Sequence, residues 1–217
     1  MADKRGKCLV AVFANVPQAI EEEYNRWYDT HHIPERLKVP GFLGAARYVA
    51  EAGDARYLTL YELAHAGVFK DPLMVKLNDE PSEWDQRISP QVQVVERVIY
   101  DRVLELGEPP EHHAAFASSV RFEPPADMDA EFNDWYNTEH LPGLAAVPGV
   151  LGARRYRKRW GDGSKYMALY EFESETIPNS EAWQKAAYAG RTRDIGPKLG
   201  TPKLARHRRI FEARATG

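Results

Sequence analysis

Two histidines stand in matching surroundings, and imidazole titrates nearest neutral pH, so each is a candidate general acid or base. His32 and His140 both precede a proline by two positions. Asn25, Tyr28 and Asp29 fall seven, four and three residues before His32. On a helix that spacing places them on or beside its face, where they could orient the ring. A second reading stays open: a histidine near a helix C-terminus also satisfies the last carbonyls and the helix dipole. His31 lies beside His32 on the apolar stripe of the same helix, so it reads as a packing residue or as a second titrating group. A metal held by His31, His32 and Asp29 is weakly supported, because neighbouring helical residues diverge by about 100°.

Further candidates lie on strands. Tyr57 and Tyr61, and likewise Tyr166 and Tyr170, are four apart, so each pair shares a strand face. They read first as core and second as phenol donors lining a cavity. Arg47 and Arg155 read as clamps for a carboxylate or enolate if they face inward, and as partners of strand glutamates if they face outward. Trp27 and Trp135 read as core anchors. His112 and His113 fall in an apparent linker and are expected in solvent. His207 is expected to face the interior from the last strand, and is the first choice of ligand if haem were bound.

These residues belong to a duplicated pattern. Residues 24–48 read YNRWYDTHHIPERLKVPGFLGAARY and residues 132–156 read FNDWYNTEHLPGLAAVPGVLGARRY, with 14 of 25 positions identical at a constant offset of 108. Residues 56–62 and 165–171 continue the match after one inserted residue. A period near 110 indicates duplication of a whole unit, since solenoid repeats are much shorter, roughly 20–50 residues. The boundaries drawn are 1–106 and 107–217, with Pro109 and Pro110 in a linker over 105–113. In each copy a short apolar strand leads to a helix with Tyr24, Trp27, Tyr28 and His31, or Phe132, Trp135 and Tyr136, on one face. Pro34 and Pro142 are expected to end those helices. Val-Pro-Gly turns follow, then two strands, a weaker helix (68–77 and 180–189) and a last strand (94–104 and 205–211). The order βαββαβ is the ferredoxin-like unit. Its strands are apolar on both faces, so two such sheets are expected to pack into one α+β barrel within the chain. Between the copies His31 becomes Glu139, Asp29 becomes Asn137 and Glu35 becomes Gly143. These differences give the first copy the richer titratable set.

Composition narrows the partners. The chain has 217 residues, 43 % hydrophobic and 28 % charged, with a formal net charge of −3. That balance excludes the basic face nucleic-acid binding needs. No apolar run approaches the roughly 20 residues that span a bilayer, and a cytoplasmic protein is expected. The single cysteine, Cys8, rules out an intrachain disulfide and reads as a buried thiol. No glycine-rich nucleotide loop, serine elbow or zinc-helix motif is present.

The run Asn25-x-Trp27-Tyr28-Asp29-x-x-His32-Ile33-Pro34, with Val39-Pro40-Gly41-Phe42 and Arg47-Tyr48, resembles the dimeric α+β barrel superfamily, and EthD-like proteins most. The resemblance implies a ligand inside the barrel. It also implies chemistries from cofactor-free monooxygenation and isomerisation to haem-dependent dismutation. The expectation taken forward is a cofactor-independent enzyme moving a proton beside a carbonyl of a small aromatic or lactone-like substrate. His32 is the base, with Asp29 or Asn25 orienting it, and His31 and His140 are reserves. Tyr28, Tyr57, Tyr61, Arg47, Tyr166, Tyr170 and Arg155 are taken as substrate contacts. A haem- or oxygen-dependent oxidoreductase and a non-catalytic binding module are the alternatives. The barrel is expected to close within one chain, which leaves room for a further homodimer.

Overall fold

The computed structural model describes residues 5–107 and 112–216; Pro109 and Pro110 of the expected linker lie outside them. Eight strands carry the chain: β1 (Cys8–Asn15), β2 (Phe42–Ala52), β3 (Tyr57–Leu63), β4 (Gln93–Gly107), β5 (Phe116–Phe122), β6 (Val150–Asp162), β7 (Tyr166–Phe172) and β8 (Lys203–Arg214). They form a closed barrel in the order β1-β3-β2-β8-β5-β7-β6-β4. Every neighbouring pair is antiparallel. Two seams join the halves of the chain. Strand β4 pairs with β6 from Arg97↔Asp162 to Gly107↔Gly152, and β2 pairs with β8. Closure removes the sheet edges that each half alone would expose.

Helices cover the outside. In the first half α1 (Glu21–Trp27), a π-helical turn (Tyr28–His32) and α2 (Ile33–Leu37) run on continuously, and α3 (Pro72–Asp79) and α4 (Glu83–Ile88) follow β3. In the second half α5 (Asp129–Trp135), a π turn (Tyr136–His140) and α6 (Leu141–Ala145) match the first run. Short helices α7 (Glu181–Ala187) and α8 (Thr192–Ile195) match the second. The expected helix stop at Pro34 and Pro142 is corrected here. The Ile33 N–H donates to the Tyr28 carbonyl and the Leu141 N–H to the Tyr136 carbonyl, five residues back. That wider turn relaxes the ring–carbonyl clash a proline brings to a regular helix, and the proline enters the next helical segment near its start. The Val-Pro-Gly turns do stop the run. Gly41 has φ +95°, and a Cβ there would meet Val68 Cγ1 at 2.5 Å.

The core has three layers. Inside the barrel Leu9, Phe13, Tyr48, Leu58, Tyr100, Tyr156 and Met167 pack together from both halves, each nearly or fully buried. Outside it one layer lies under the first helices, with Tyr24, Trp27, Tyr57 and Tyr61. The other lies under the second helices, with Phe132, Trp135, Tyr166 and Tyr170. The shared faces of the tyrosine pairs are as expected, but they turn outward, toward the helices. At one end of the interior Arg154 donates to Glu62 at 2.7 Å and to Glu171 at 3.0 Å. Arg5 donates to Glu171 at 2.8 Å. His113, expected in solvent, is 3 % exposed and stands 3.4 Å from both glutamates. The segment entering β5 is drawn in by those charges, which need a buried partner. No helix among the described residues is long and apolar enough to cross a membrane.

Candidate active site

The expected interior site is corrected by the packing: large side chains fill the barrel, and two apolar cavities lie instead between the barrel's outer face and the helices. The first, about 240 Å³, is walled by Val10, Tyr61, Trp27, Tyr28 and Met74, with His32 and Arg36 bordering it.

The π turn decides how the histidines reach this space. It rotates less per residue than an α-turn, so His31 and His32 both reach one carboxylate, that of Asp85. His31 Nε2 is 3.2 Å from Asp85 Oδ2, and His32 Nδ1 is 3.5 Å from Asp85 Oδ1. The divergence expected of neighbouring helical residues is thereby overcome. Asp85 also accepts from Trp27 Nε1 at 3.1 Å, Ser82 Oγ at 2.6 Å and the Ser82 N–H at 3.1 Å. The hydrogen bonds from His32 first, and then from the Ser82 hydroxyl and His31, hold its carboxyl well below the usual carboxylate range against the opposing effect of burial. Ser82 and Asp85 form the reciprocal capping box of α4. The local signal that starts this helix therefore also places the acid.

His32 packs between Trp27 and Tyr28, with ring centroids 4.3 and 4.8 Å away. Burial pushes its pKa down to about 3, with Asp85 opposing. The ring is neutral across the physiological range. With Nδ1–H turned to the anionic Asp85, Nε2 carries the lone pair, and no protein group occupies it. Tyr61 Oη, fully buried at the same cavity, has no hydrogen-bond partner. Burial raises its pKa well above 10, so it stays a donor. Arg36 donates to the His32 carbonyl at 3.1 Å and borders the same cavity. A base, a phenol donor and a cation thus converge on one apolar space, the pattern of a site that removes a proton and steadies the resulting oxyanion.

The other expected residues are placed differently. Asn25 and Asp29 do not orient His32. Both accept from Arg47, at 2.7 and 2.5 Å, and Arg47 is fully buried against the rings of Tyr24, Tyr28 and Tyr57. Arg155 repeats this staple, donating to Asn137 at 2.6 Å and Asn133 at 2.9 Å beneath Tyr136 and Tyr166. Both arginines pin a helix to the sheet, so neither clamps a ligand nor pairs with a strand glutamate. Tyr57 donates to Glu21 and Tyr166 to Asp129, away from the cavities. Tyr28 and Tyr61 do line the first cavity.

In the second half His140 and Tyr170 border a cavity of about 210 Å³. No acid meets His140 there: its Nδ1 is 3.4 Å from Thr192 Oγ1, and burial lowers its pKa to about 4. Trp135 Nε1, the counterpart of the Trp27 donor, has no partner. His207 does face the barrel interior, but it is sealed against Tyr48 with Nε2 2.8 Å from Ser119 Oγ.

No family model matches the chain, and no curated protein matches it. Solved structures do. A candidate monooxygenase from Fusobacterium nucleatum subsp. nucleatum is 14 % identical with TM-score 0.64, covering 98 % of this chain and 96 % of that one. An anthrone oxidase-like protein is 11 % identical with TM-score 0.66, covering 100 % and 96 %. Chlorite dismutase from Candidatus Nitrospira defluvii, in complex with imidazole, is 9 % identical with TM-score 0.61, covering 94 % and 91 %. The chain shares with these proteins its fold, an α+β arrangement around a closed eight-strand antiparallel barrel, here built by one polypeptide.

Proposed function

We propose that the chain is a cofactor-independent enzyme whose Asp85–His32 pair removes a proton from a small, flat, acidic carbon compound held in the first outer cavity. The observation carrying this is the unoccupied Nε2 of a neutral histidine whose other nitrogen is fixed by a carboxylate. In the step, the substrate C–H bond breaks and its proton passes to Nε2. The electron pair moves into an enolate, whose oxygen takes a hydrogen bond from Tyr61 and faces Arg36. Return of the proton to a different carbon completes an isomerisation; attack by the enolate on a second carbonyl forms the C–C bond and an alkoxide, and transfer of the proton from Nε2 to that oxygen completes a cyclisation. A histidine kept this far below its ordinary pKa is a weak base, so the substrate must be acidic itself, a carbon flanked by a carbonyl and an aryl ring or a second carbonyl. The apolar walls suit such a ring.

Space counts against haem. The cavity beside His32 is below the roughly 300–1,000 Å³ that drug-sized ligands take, and a porphyrin is larger still. The space that His207 borders, about 290 Å³ beside Glu175, Thr176 and Arg206, is likewise below that range. The oxygen-using reading keeps some support, because an enolate in a dry cavity is a species dioxygen can oxidise, and relatives in fold include an anthrone oxidase-like protein. The repeated sequence and the matching strand–helix order of both halves support a fused pair of ferredoxin-like units. The shared Asn-x-Trp-Tyr run supports EthD-like ancestry.

The test is deuterium uptake into the acidic methylene of 2-tetralone in D₂O, followed by proton NMR. Exchange above the buffer rate that disappears in Val94→Trp, which fills the cavity mouth, supports the reading. Exchange at the buffer rate refutes it.

A further inference from the structure

The second cavity differs from the first in the charge and hydrogen-bonding character of its walls. No charged side chain lines it, whereas Arg36 and Arg97 border the first. Its walls are rings: Phe122, Trp135, Tyr136, Tyr170 and Trp183, with Tyr188 at the mouth. Tyr188 is 62 % exposed, a large apolar surface left uncovered. Within this wall the indole N–H of Trp135, a residue 2 % exposed, has no acceptor. A buried donor without a partner is a standing energetic penalty, removed by any ligand that brings an acceptor. In the first half the equivalent Trp27 N–H is already taken by Asp85. His140 lacks a carboxylate as well; Thr192 can donate to it or accept from it, so its tautomer is free to suit the occupant.

We propose that this cavity is a second, non-catalytic binding site for a small, uncharged aromatic carbonyl compound. The rings stack on its faces, and Trp135 Nε1–H, with His140 as a second donor, bonds its carbonyl oxygen. An anion is rejected, since burying one without a cation is costly. The Tyr136–Tyr170 hydroxyl pair, 2.9 Å apart, is satisfied internally and leaves the carbonyl to the indole. This site does not depend on the proton-transfer reading of the first cavity.

Coumarin is the probe, a neutral bicyclic carbonyl without an acidic methylene, and coumarin-3-carboxylate is its anionic counterpart. Binding is followed by titration calorimetry on the full chain, with thermal unfolding to verify each variant. The expected result is a site that Ala187→Trp abolishes and Val94→Trp leaves intact, that Trp135→Phe weakens at least fivefold, and for which the carboxylate does not compete. Binding that survives Ala187→Trp in a folded protein, equal competition by the carboxylate, or no binding at millimolar coumarin overturns the proposal. Trp135→Phe keeps the ring, so its result stands even if Ala187→Trp fails to fold.

Discussion

Replacing Asp85 by asparagine keeps the shape of the site and removes its charge. The carboxylate accepts at Oδ1 from Trp27 Nε1 and His32 Nδ1, and at Oδ2 from His31 and from the hydroxyl and N–H of Ser82. An amide offers one oxygen and one NH₂ group. With the NH₂ on the Oδ1 side, it faces the indole N–H and repels the Nδ1–H tautomer of His32. Turned the other way, it faces the Ser82 N–H of the helix cap. Either choice leaves at least one buried donor unsatisfied and weakens charge-assisted bonds, a loss of about 1–3 kcal/mol in stability. The effect on rate is larger. His32 loses the group that holds its Nε2 lone pair toward the cavity, and a general base displaced from its tautomer forfeits about 10²–10⁴-fold. The assay is 2-tetralone deuterium uptake at pH 7, with urea unfolding on the same preparations. A folded Asp85→Asn protein exchanging at the wild-type rate would refute the pairing of Asp85 with His32 as the catalytic unit.

Other consequences follow from the same geometry. His140→Ala leaves 2-tetralone exchange within about twofold of wild type, because the second half lacks an acid behind its histidine; a loss as large as that expected at Asp85 would move the chemistry to the other cavity. Arg154→Met leaves Glu62 and Glu171 facing each other in the barrel, with Arg5, His113 and the Ala114 N–H as partners that remain. It should lower stability by about 3–5 kcal/mol, and an unchanged urea midpoint would count against this buried ion cluster as a tie between the two halves. Burial lowers His32, His140 and His207 to about 3, 4 and 3. The unfolded chain therefore takes up protons near pH 6.5, where the fold does not. Stability is full above that pH and falls as pH drops from about 6.5 toward 4, by up to ~1.4 kcal/mol per pH unit for each group. Equal urea midpoints at pH 7 and pH 5 would contradict this.

The barrel was legible because both sheet faces read as apolar and the repeat supplied a second sheet of the same kind. The histidine was legible from its type and its repetition. Asp85 was not. It lies 53 residues beyond His32, on a six-residue helix too short for a periodic signal, and only the Ser82-x-x-Asp85 capping pattern marks it. Arg47 and Arg155 misled for a physical reason: a guanidinium that could clamp a ligand can equally staple a helix, and the Asn in the last turn of α1 and of α5 satisfies it first. The side of the sheet that holds the cavities was also hidden. Period-two patterning tells which residues share a face but not which face leaves space, and space depends on the volumes of side chains far apart in sequence, such as Tyr48, Tyr100 and Tyr156. Pro34 and Pro142 failed as stop signals because a π turn precedes each.

The identity of the base is the point on which the chemistry turns, and rescue by added imidazole addresses it most directly. His32→Ala removes the ring and leaves a hole of its shape beside Asp85. Deuterium uptake into 2-tetralone should fall by more than about 100-fold and recover in proportion to imidazole concentration, while His207→Ala and His140→Ala show neither loss nor rescue. Wild-type exchange in folded His32→Ala protein, or a loss that imidazole cannot restore, would contradict His32 as the proton acceptor.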